Sequence, residues 1–453
     1  MLAVALEEGC DAIHPGYGFL SENAGFARAC ANVGIHFIGP TPEQLELFGD
    51  KAQARELAQR CGIPLMPGSE GAVTLAEAEA FLATQDGNGV ILKAIGGGGG
   101  RGIRVVTGRD ELPAAWESCR REALAAAGTD GVYVERLMPQ ARHIELQLLG
   151  DGQDVIVLGE RECTLQRRFQ KIVEVAPSPT LPDGLRQQMA LAALKMAQEV
   201  RYQNLGTFEF LVDLESTDLP FVFMEVNPRL QVEHTITEEV FGVDLVQAQI
   251  RLAAGASLKD LKLDPATPPR PSGFAVQWRI NAETLDAQGQ ATPHSGTITR
   301  FDLPSGPGVR IDTHGFVGAA PSPHYDTLLA KLIVHTRGQF TDTLRRSQRA
   351  LAEFHVTGLP TNLPLLRALA ARPEMPTLAV HTRWLQLQLP QLLKAAQHHE
   401  TKPNDPLPST AAAPTTAAAV PDHAMTAMMP ARLVQWSVAE GDEVPAGAEL
   451  GVL

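Results

Sequence analysis

The sequence predicts a mixed fold between the α/β and α+β classes, and three observations carry that expectation. Short apolar runs at 12–14, 35–38, 90–94 and 102–106 alternate with helical stretches through residue 110. Residues 132–175 are rich in strand formers, with polar and apolar residues alternating in His143-Ile-Glu-Leu-Gln-Leu-Leu149. Gly206–Val212 and Phe221–Val226 flank the polar turn Glu215–Pro220 and read as a hairpin.

Taken in order, Leu2, Val4, Ala5 and Leu6 read as the end of a helix closed by Gly9, and the strand Ala12–His14 follows directly. A domain that opens in mid-helix is expected to have lost residues upstream. Leu185–Val200 reads as a helix, and 270–380 mixes strands with a helix near Asp342–Phe354. Residues 395–422 turn rich in Pro, Ala and Thr, a composition that buries no core and reads as an extended linker. Beyond it, 431–453 returns to short strands around a Glu440-Gly-Asp turn and stops at the apolar Gly451-Val-Leu453, so this end is also expected to be truncated.

A chain of 453 residues predicts two to four domains, and 44% hydrophobic with 20% charged residues places it among soluble globular proteins. The net charge of −14, from 38 basic and 52 acidic residues, argues against non-specific nucleic-acid binding. An anionic ligand stays compatible with it through a local basic cluster. No stretch is apolar for long enough to suggest a membrane span, and the N-terminus has no signal-peptide pattern. Cys10, Cys30, Cys61, Cys119 and Cys163 are dispersed, odd in number and without a CxxC pair. That disfavours zinc and disulfide frameworks and points to a reducing, cytoplasmic setting.

The chemistry-bearing motifs begin with Val90-Ile-Leu-Lys93 and the five glycines Gly96 to Gly100. Backbone without Cβ atoms approaches a polyphosphate closely and aims N–H groups at it, with Lys93 as a point charge over the phosphates. A flexible linker is the competing reading, disfavoured by apolar strands on both sides. The spacing matches neither a P-loop nor a dinucleotide fingerprint. Next come Glu209 and Glu225, each interrupting an apolar strand of the hairpin. Two such acids repel unless a cation joins them, and Mg²⁺ bound with ATP phosphates is the usual solution, with Asn227 as a neutral oxygen donor. A solvent-facing strand edge explains either acid alone. In Asn227-Pro-Arg229-Leu-Gln231-Val-Glu233-His234, the alternating Arg229, Gln231 and Glu233 are expected to share one face of an extended segment. An arginine beside a glutamate there binds a small anion and keeps a base ionised; a surface ion pair is the alternative. Gln166-Arg-Arg-Phe-Gln-Lys171 is a basic patch or a solvated turn.

Together these residues resemble the biotin carboxylase module of biotin-dependent carboxylases, an ATP-grasp enzyme. The likeness runs from His14-Pro-Gly-Tyr-Gly-Phe-Leu-Ser-Glu-Asn23 through Gly49-Asp-Lys51, the glycine run, Gln166–Lys171, Gly206–Phe210, Glu225–His234, Arg279-Ile-Asn281 and Tyr325–Lys331. The resemblance implies a partial N-terminal biotin carboxylase subdomain at 1–46, an ATP-grasp domain at 47–250 and a biotin carboxylase C-terminal domain at 268–390. After the linker it implies a partial biotinyl-carrier domain at 423–453, without the biotinylated lysine. It further implies that Lys51, Lys93 and Gly97, Gly98, Gly99 and Gly100 hold ATP phosphates. Glu135 and Met138 fall at the adenine hinge, and His143 and Gln166 at further nucleotide contacts. Glu209, Glu225 and Asn227 match ligands of Mg²⁺ or Mn²⁺. Lys171, Arg229, Gln231, Val232 and Glu233 match the lining of the bicarbonate and biotin site, with Tyr17 nearby. Glu233 matches the general base for bicarbonate, and Arg279 the residue that stabilises the biotin enolate. The resemblance implies a departure at Phe169, where the family often has a polar residue, commonly histidine, so that a hydrogen bond near the nucleotide is removed and a different nucleotide affinity is expected.

The implied activity is carboxylation of biotin through carboxyphosphate, as the first half-reaction of a carboxylase. The runs at Gln231–Val240 and Arg279–Thr284 look most like multidomain acyl-CoA carboxylases, with pyruvate and urea left open as acceptors. Implied partners are biotinyl-carrier and carboxyltransferase domains or subunits, with no nucleic acid and no membrane; homodimer formation stays open. Two alternatives compete: another ATP-grasp carboxylate ligase, and a non-catalytic fragment of a larger carboxylase.

Overall fold

The helix expected to close at Gly9 is α1 (Leu2–Glu7), and Gly9 takes a φ of +68°, which L side chains rarely adopt. In this computed structural model, described residues are 1–399 except 70, 86, 96–101, 128–129, 217 and 323; beyond them only Gln435–Trp436 and Gly451–Val452 are described. After α1, β1 (Ala12–Ile13) pairs in parallel with β2 (His36–Phe37) across α2 (Ala24–Asn32). Capping residues set the next two helices. Thr41 forms a capping box with Gln44 at the start of α3 (Pro42–Gly49), and Asp50 accepts from Ala52 and Gln53 to begin α4 (Lys51–Arg60).

A small antiparallel sheet follows, in the order β4-β3-β5, from β3 (Val90–Ala94), β4 (Ile103–Val106) and β5 (Val132–Arg136). It packs against α5 (Leu75–Ala83) and α6 (Leu112–Ala127). The main sheet is built from β6 (Arg142–Asp151), β7 (Val155–Arg167), β8 (Gln170–Ala176), β9 (Gln203–Val212), β10 (Phe221–Asn227) and β11 (Phe274–Asn281). Two short ribbons, β12 (Glu283–Leu285) with β13 (Ala291–Pro293) and β14 (Arg300–Asp302) with β17 (His355–Thr357), lie outside it. With β15 (Val309–Thr313) and β16 (Leu328–Thr336) the main sheet has eight strands, β10-β9-β6-β7-β8-β11-β16-β15, all antiparallel.

Strand alternation divides this sheet into a dry face and a polar one. Ile144, Leu146, Leu148, Phe208 and Phe210 point into a core shared with α4 and α7 (Asp183–Glu199). Phe208 is fully buried, with its ring 5.7 Å from Phe48 and 5.9 Å from Tyr202. Gly206 makes room for Tyr202, because a Cβ there would lie 2.0 Å from the tyrosine hydroxyl. The polar side chains between these residues face the opposite way. That face is closed off by α8 (His234–Phe241) and α9 (Leu245–Ala253).

At the far end of the sheet a second core joins β11 and β16 to α10 (Phe340–Glu353), α11 (Leu363–Ala370) and α12 (Trp384–Ala396). Ordered structure therefore runs past residue 395, where composition placed the start of the linker. Leu392 and Ala396 are buried in this core, and Arg367 donates to the His399 carbonyl at 3.0 Å. The helix ends in the small and polar run Lys394-Ala-Ala-Gln-His-His399, so composition did not mark its last turn. The rest of the expected linker lies outside the described residues. In the unit formed by 401–453, Gln435–Trp436 pairs antiparallel with Gly451–Val452, as the expected strands require. No described helix is long and apolar enough to cross a membrane.

Truncating Phe208 to Ala removes one of three interlocked rings under the main sheet. It is expected to cost about 3–5 kcal/mol of stability, read as a lower urea midpoint with an unchanged slope.

Candidate active site

The polar face of the main sheet carries a row of charges set by strand register. Arg161 on β7 stands opposite Glu145 on β6, Glu145 opposite Glu209 on β9, and Glu209 opposite Glu225 on β10. Like charges directly opposite on neighbouring strands repel, so three acids in a row demand cations. Arg161 answers Glu145 from one end, fully buried, and also donates to Gln147, Thr207 and Thr237 at 2.7, 3.1 and 3.0 Å. Lys51, on the first turn of α4, stands 3.7 Å from Glu225 at the other end.

The middle of the row is answered by Lys171 of β8. Its Nζ donates to Glu145 at 2.6 Å, Glu209 at 3.0 Å and Glu233 at 2.6 Å. Glu233, 1% exposed, accepts on its other oxygen from Arg279 Nη2 at 2.9 Å. Arg279 Nε donates in turn to the buried Glu174. Glu209 is also bonded to His143 Nε2 at 2.8 Å and to Asn227 Nδ2 at 2.9 Å, while Gln166 holds the other nitrogen of the His143 ring. Lys331 fixes the wall beside Glu233 by donating to the Val232 carbonyl at 3.1 Å. Gln231 Nε2 is buried and has no partner among the described residues. A buried amide donor left open fits an anionic or carbonyl oxygen of a ligand.

Titration follows from this geometry. Burial pushes the Glu233 carboxyl up, but Lys171, Arg279 and Arg161 outweigh it and hold it well below the ordinary range. Burial is likewise overcome at Glu209, by Lys171 and His143. Lys171 is pushed down by burial yet held well above its ordinary value by Glu145, Glu209 and Glu233. At Glu174 burial wins over Arg279 and raises the carboxyl to about 7.

A second group sits on the small sheet. Lys93 pairs with Glu135 across β3 and β5, and Arg55 of α4 reaches the same carboxylate at 3.0 Å. Met138 is buried beside Met66, Ala141 and Val222. Gly97, Gly98, Gly99 and Gly100 lie outside the described residues. Tyr17 is half-exposed; burial raises its hydroxyl pKa, and it feels the charges of Asp326, Arg279 and Asp312. Phe169 stands with Arg168 in the β7–β8 turn, both at positive φ, and its ring is exposed. The basic patch is split by that turn: Arg167 and Lys171 point inward, and Arg168 outward.

One expectation is corrected. Arg229, Gln231 and Glu233 do not line one face of an extended segment. The chain turns after Asn227, and Glu233 is already the residue that precedes α8. Arg229 pairs with Glu22, 207 residues away, and Glu233 takes its cations from Lys171 and Arg279. Sequence reasoning also passed over Glu145, Arg161 and Glu174. The signal for Glu145 was present: His143, Glu145 and Gln147 alternate on a strand with apolar neighbours, and a strand covered on both faces turns such a stripe into a site.

The chain is similar to known proteins over most of its length. Residues 1–45 match the family model for the biotin carboxylase N-terminal domain, and 277–387 that for the biotin carboxylase C-terminal domain. Residues 50–261 match the ATP-binding domain of the carbamoyl-phosphate synthase L chain. A biotin carboxylase of Nostoc sp. is 46% identical over 387 residues, 85% of this chain and 84% of that one. Pyruvate carboxylase 1 of Caenorhabditis elegans is also 46% identical over 387 residues, but the match spans only 32% of its length. Among solved structures, the biotin carboxylase domain dimer of Hydrogenobacter thermophilus 2-oxoglutarate carboxylase, in complex with MgADP, ADP and bicarbonate, superposes with a TM-score of 0.78. It is 40% identical, with 86% of this chain and 84% of that one covered.

Replacing Lys171 by Met leaves Glu145, Glu209 and Glu233 facing one another in the interior. The expected cost is about 3–5 kcal/mol at neutral pH, measured by urea unfolding. Glu209 and Glu233 titrate below their unfolded value of 4.5, so their pairing stabilises the fold fully above that pH and is lost as pH falls beneath it. The penalty of the substitution therefore shrinks below pH 4.5.

Proposed function

The chain belongs to the biotin carboxylase family of ATP-dependent ligases, and on that premise we propose that this site carboxylates biotin with bicarbonate and ATP. The observation that carries the proposal is Glu233, ionised between Lys171 and Arg279, two residues along the chain from Gln231, whose buried amide has no partner among the described residues. Two cations on a buried carboxylate make a receptor for a small oxyanion with a base already in place.

Bicarbonate drawn to Lys171, Arg229 and Gln231 competes with Glu233 for positive charge. That competition lifts the low proton affinity of Glu233 and lets it take the bicarbonate proton. The freed oxygen attacks the γ-phosphorus, the bond to the β–γ bridging oxygen breaks, and ADP leaves. Carboxyphosphate then parts into CO₂ and phosphate. Phosphate removes the N1′ proton of biotin, Arg279 stabilises the enolate, and the nitrogen attacks CO₂. Val232, with its carbonyl pinned by Lys331, and Tyr17 complete the biotin side.

Glu209, Glu225 and Asn227 offer hard oxygen donors at adjoining register positions, a set that suits Mg²⁺ or Mn²⁺. Bound there, the metal neutralises charge on the transferring phosphoryl group. Lys51 and Lys93 serve the nucleotide phosphates together with Gly97 to Gly100. Glu135 and Met138 form the adenine hinge, and His143 and Gln166 add further contacts. Glu135 holds Lys93 in place until phosphate oxygens take over that charge.

We further propose the domain limits 1–46, 47–250 and 268–390, and a cytoplasmic setting in keeping with five unpaired cysteines. A biotinyl-carrier domain and a carboxyltransferase are the proposed partners, and a homodimer the proposed assembly. An acyl-CoA acceptor rests on the Gln231–Val240 and Arg279–Thr284 runs alone, whereas pyruvate is the acceptor named by the C. elegans relative.

The test is ATP hydrolysis by the chain with Mg²⁺ and bicarbonate, with and without free biotin. Biotin is expected to raise the rate, and Glu233→Ala to lower the stimulated rate by roughly 100-fold or more. Hydrolysis indifferent to biotin would favour another ATP-grasp ligase, and no hydrolysis by a cooperatively folded chain would favour a non-catalytic role.

A further inference from the structure

Glu174 stands on β8 with no solvent exposure. It lies opposite Gln277 of β11, which donates to Glu174 Oε2 at 3.0 Å. Gln277 is braced from behind by Thr235 Oγ1, which donates to the Gln277 side-chain carbonyl at 2.6 Å. The other Glu174 oxygen accepts from Arg279 Nε. Arg279 thus divides its fork: Nε goes to Glu174 and Nη2 to Glu233, and Nη1 has no hydrogen-bond partner among the described residues.

We propose that Glu174 is a positioning residue for Arg279, holding its Nε so that the Nε–Nη2 edge cannot close bidentately on Glu233 and swing the guanidinium out of place. This rests on the reading of the site as a biotin carboxylase. An arginine offered a single carboxylate pairs with it through two parallel N–H bonds, the strongest arrangement open to it. Without Glu174, Glu233 is that single carboxylate. Full closure would silence the base and withdraw the cation that stabilises the enolate, both at once. Glu174 makes and breaks no bond in the reaction; the N1′ proton of biotin still passes to phosphate.

A core acid kept only for the fold explains the arrangement less well. A buried carboxylate whose one ionic partner is shared with a second carboxylate is a weak source of stability. Its carboxyl is raised to about 7, which shows that Arg279 does not fully offset its burial.

The experiment is biotin-stimulated ATP hydrolysis by the full chain in a double-mutant cycle of Glu174→Gln and Arg279→Ala. Glu174→Gln is expected to lower kcat with biotin by roughly 10- to 100-fold, while KM for ATP moves by less than about threefold. Because Glu174 acts through Arg279, the double variant should be no slower than Arg279→Ala alone. Multiplying losses would overturn the proposal. Glu174→Asp keeps the charge but withdraws the acceptor by a methylene, so it should be slower than Glu174→Gln. The reverse order would show a field effect and also overturn it. Gln277→Met loosens the same carboxylate from its other side and serves should Glu174→Gln not fold. It is expected to give a smaller loss that vanishes in the Arg279→Ala background, and a loss that persists there counts against the proposal. A wild-type chain without biotin stimulation removes the functional reading and this inference together. A stimulated wild type with a multiplicative cycle removes the inference alone.

Discussion

One ammonium group shared by three buried carboxylates governs this molecule. Strand register puts Glu145 and Glu209 side by side, and the start of α8 brings Glu233 against them. Lys171 is the cation within bonding distance of all three. Burying so many charges is unfavourable unless each is paired and hydrogen-bonded. The surrounding fold meets that condition with Arg161 beneath Glu145, His143 on Glu209 and Arg279 on Glu233. An interior arranged this way is poorly explained by stability alone and well explained by a ligand that redistributes the charge.

The two halves of the site differ in what they wait for. Around Lys171 the cations are held by acids that an oxyanion can compete with. Around Lys93 the cation is parked on Glu135, which Arg55 also holds, so a departing Lys93 leaves that acid paired. α4 supplies both Lys51 and Arg55, and so links the row of acids on the main sheet to the small sheet.

Most of the architecture could be read from local sequence, because it depends on short-range pattern. The hairpin of Glu209 and Glu225 was visible as two apolar strands each broken by an acid, and the two acids do stand opposite each other. The helices α7 and α10 fall within two residues of their expected limits. What escaped is tertiary. Arg229 beside Glu233 suggested a pair, but the turn after Asn227 sends the two side chains to different partners, Glu22 and Arg279. Glu145 and Glu174 look like ordinary polar positions of alternating strands, and only the cover over that face of the sheet makes them interior charges. Phe169, expected to alter a nucleotide contact, occupies an exposed turn and lies among none of the groups that meet at Lys171.

In the proposed reaction bicarbonate is the phosphoryl acceptor, held beside Lys171 and Glu233. Incubating the chain with MgATP, biotin and ¹⁸O-labelled bicarbonate, then weighing the inorganic phosphate by mass spectrometry, tests this most directly. One ¹⁸O is expected to pass from bicarbonate into each phosphate released, since carboxyphosphate parts at its carbon–oxygen bond. Phosphate that takes its new oxygen from water would contradict it.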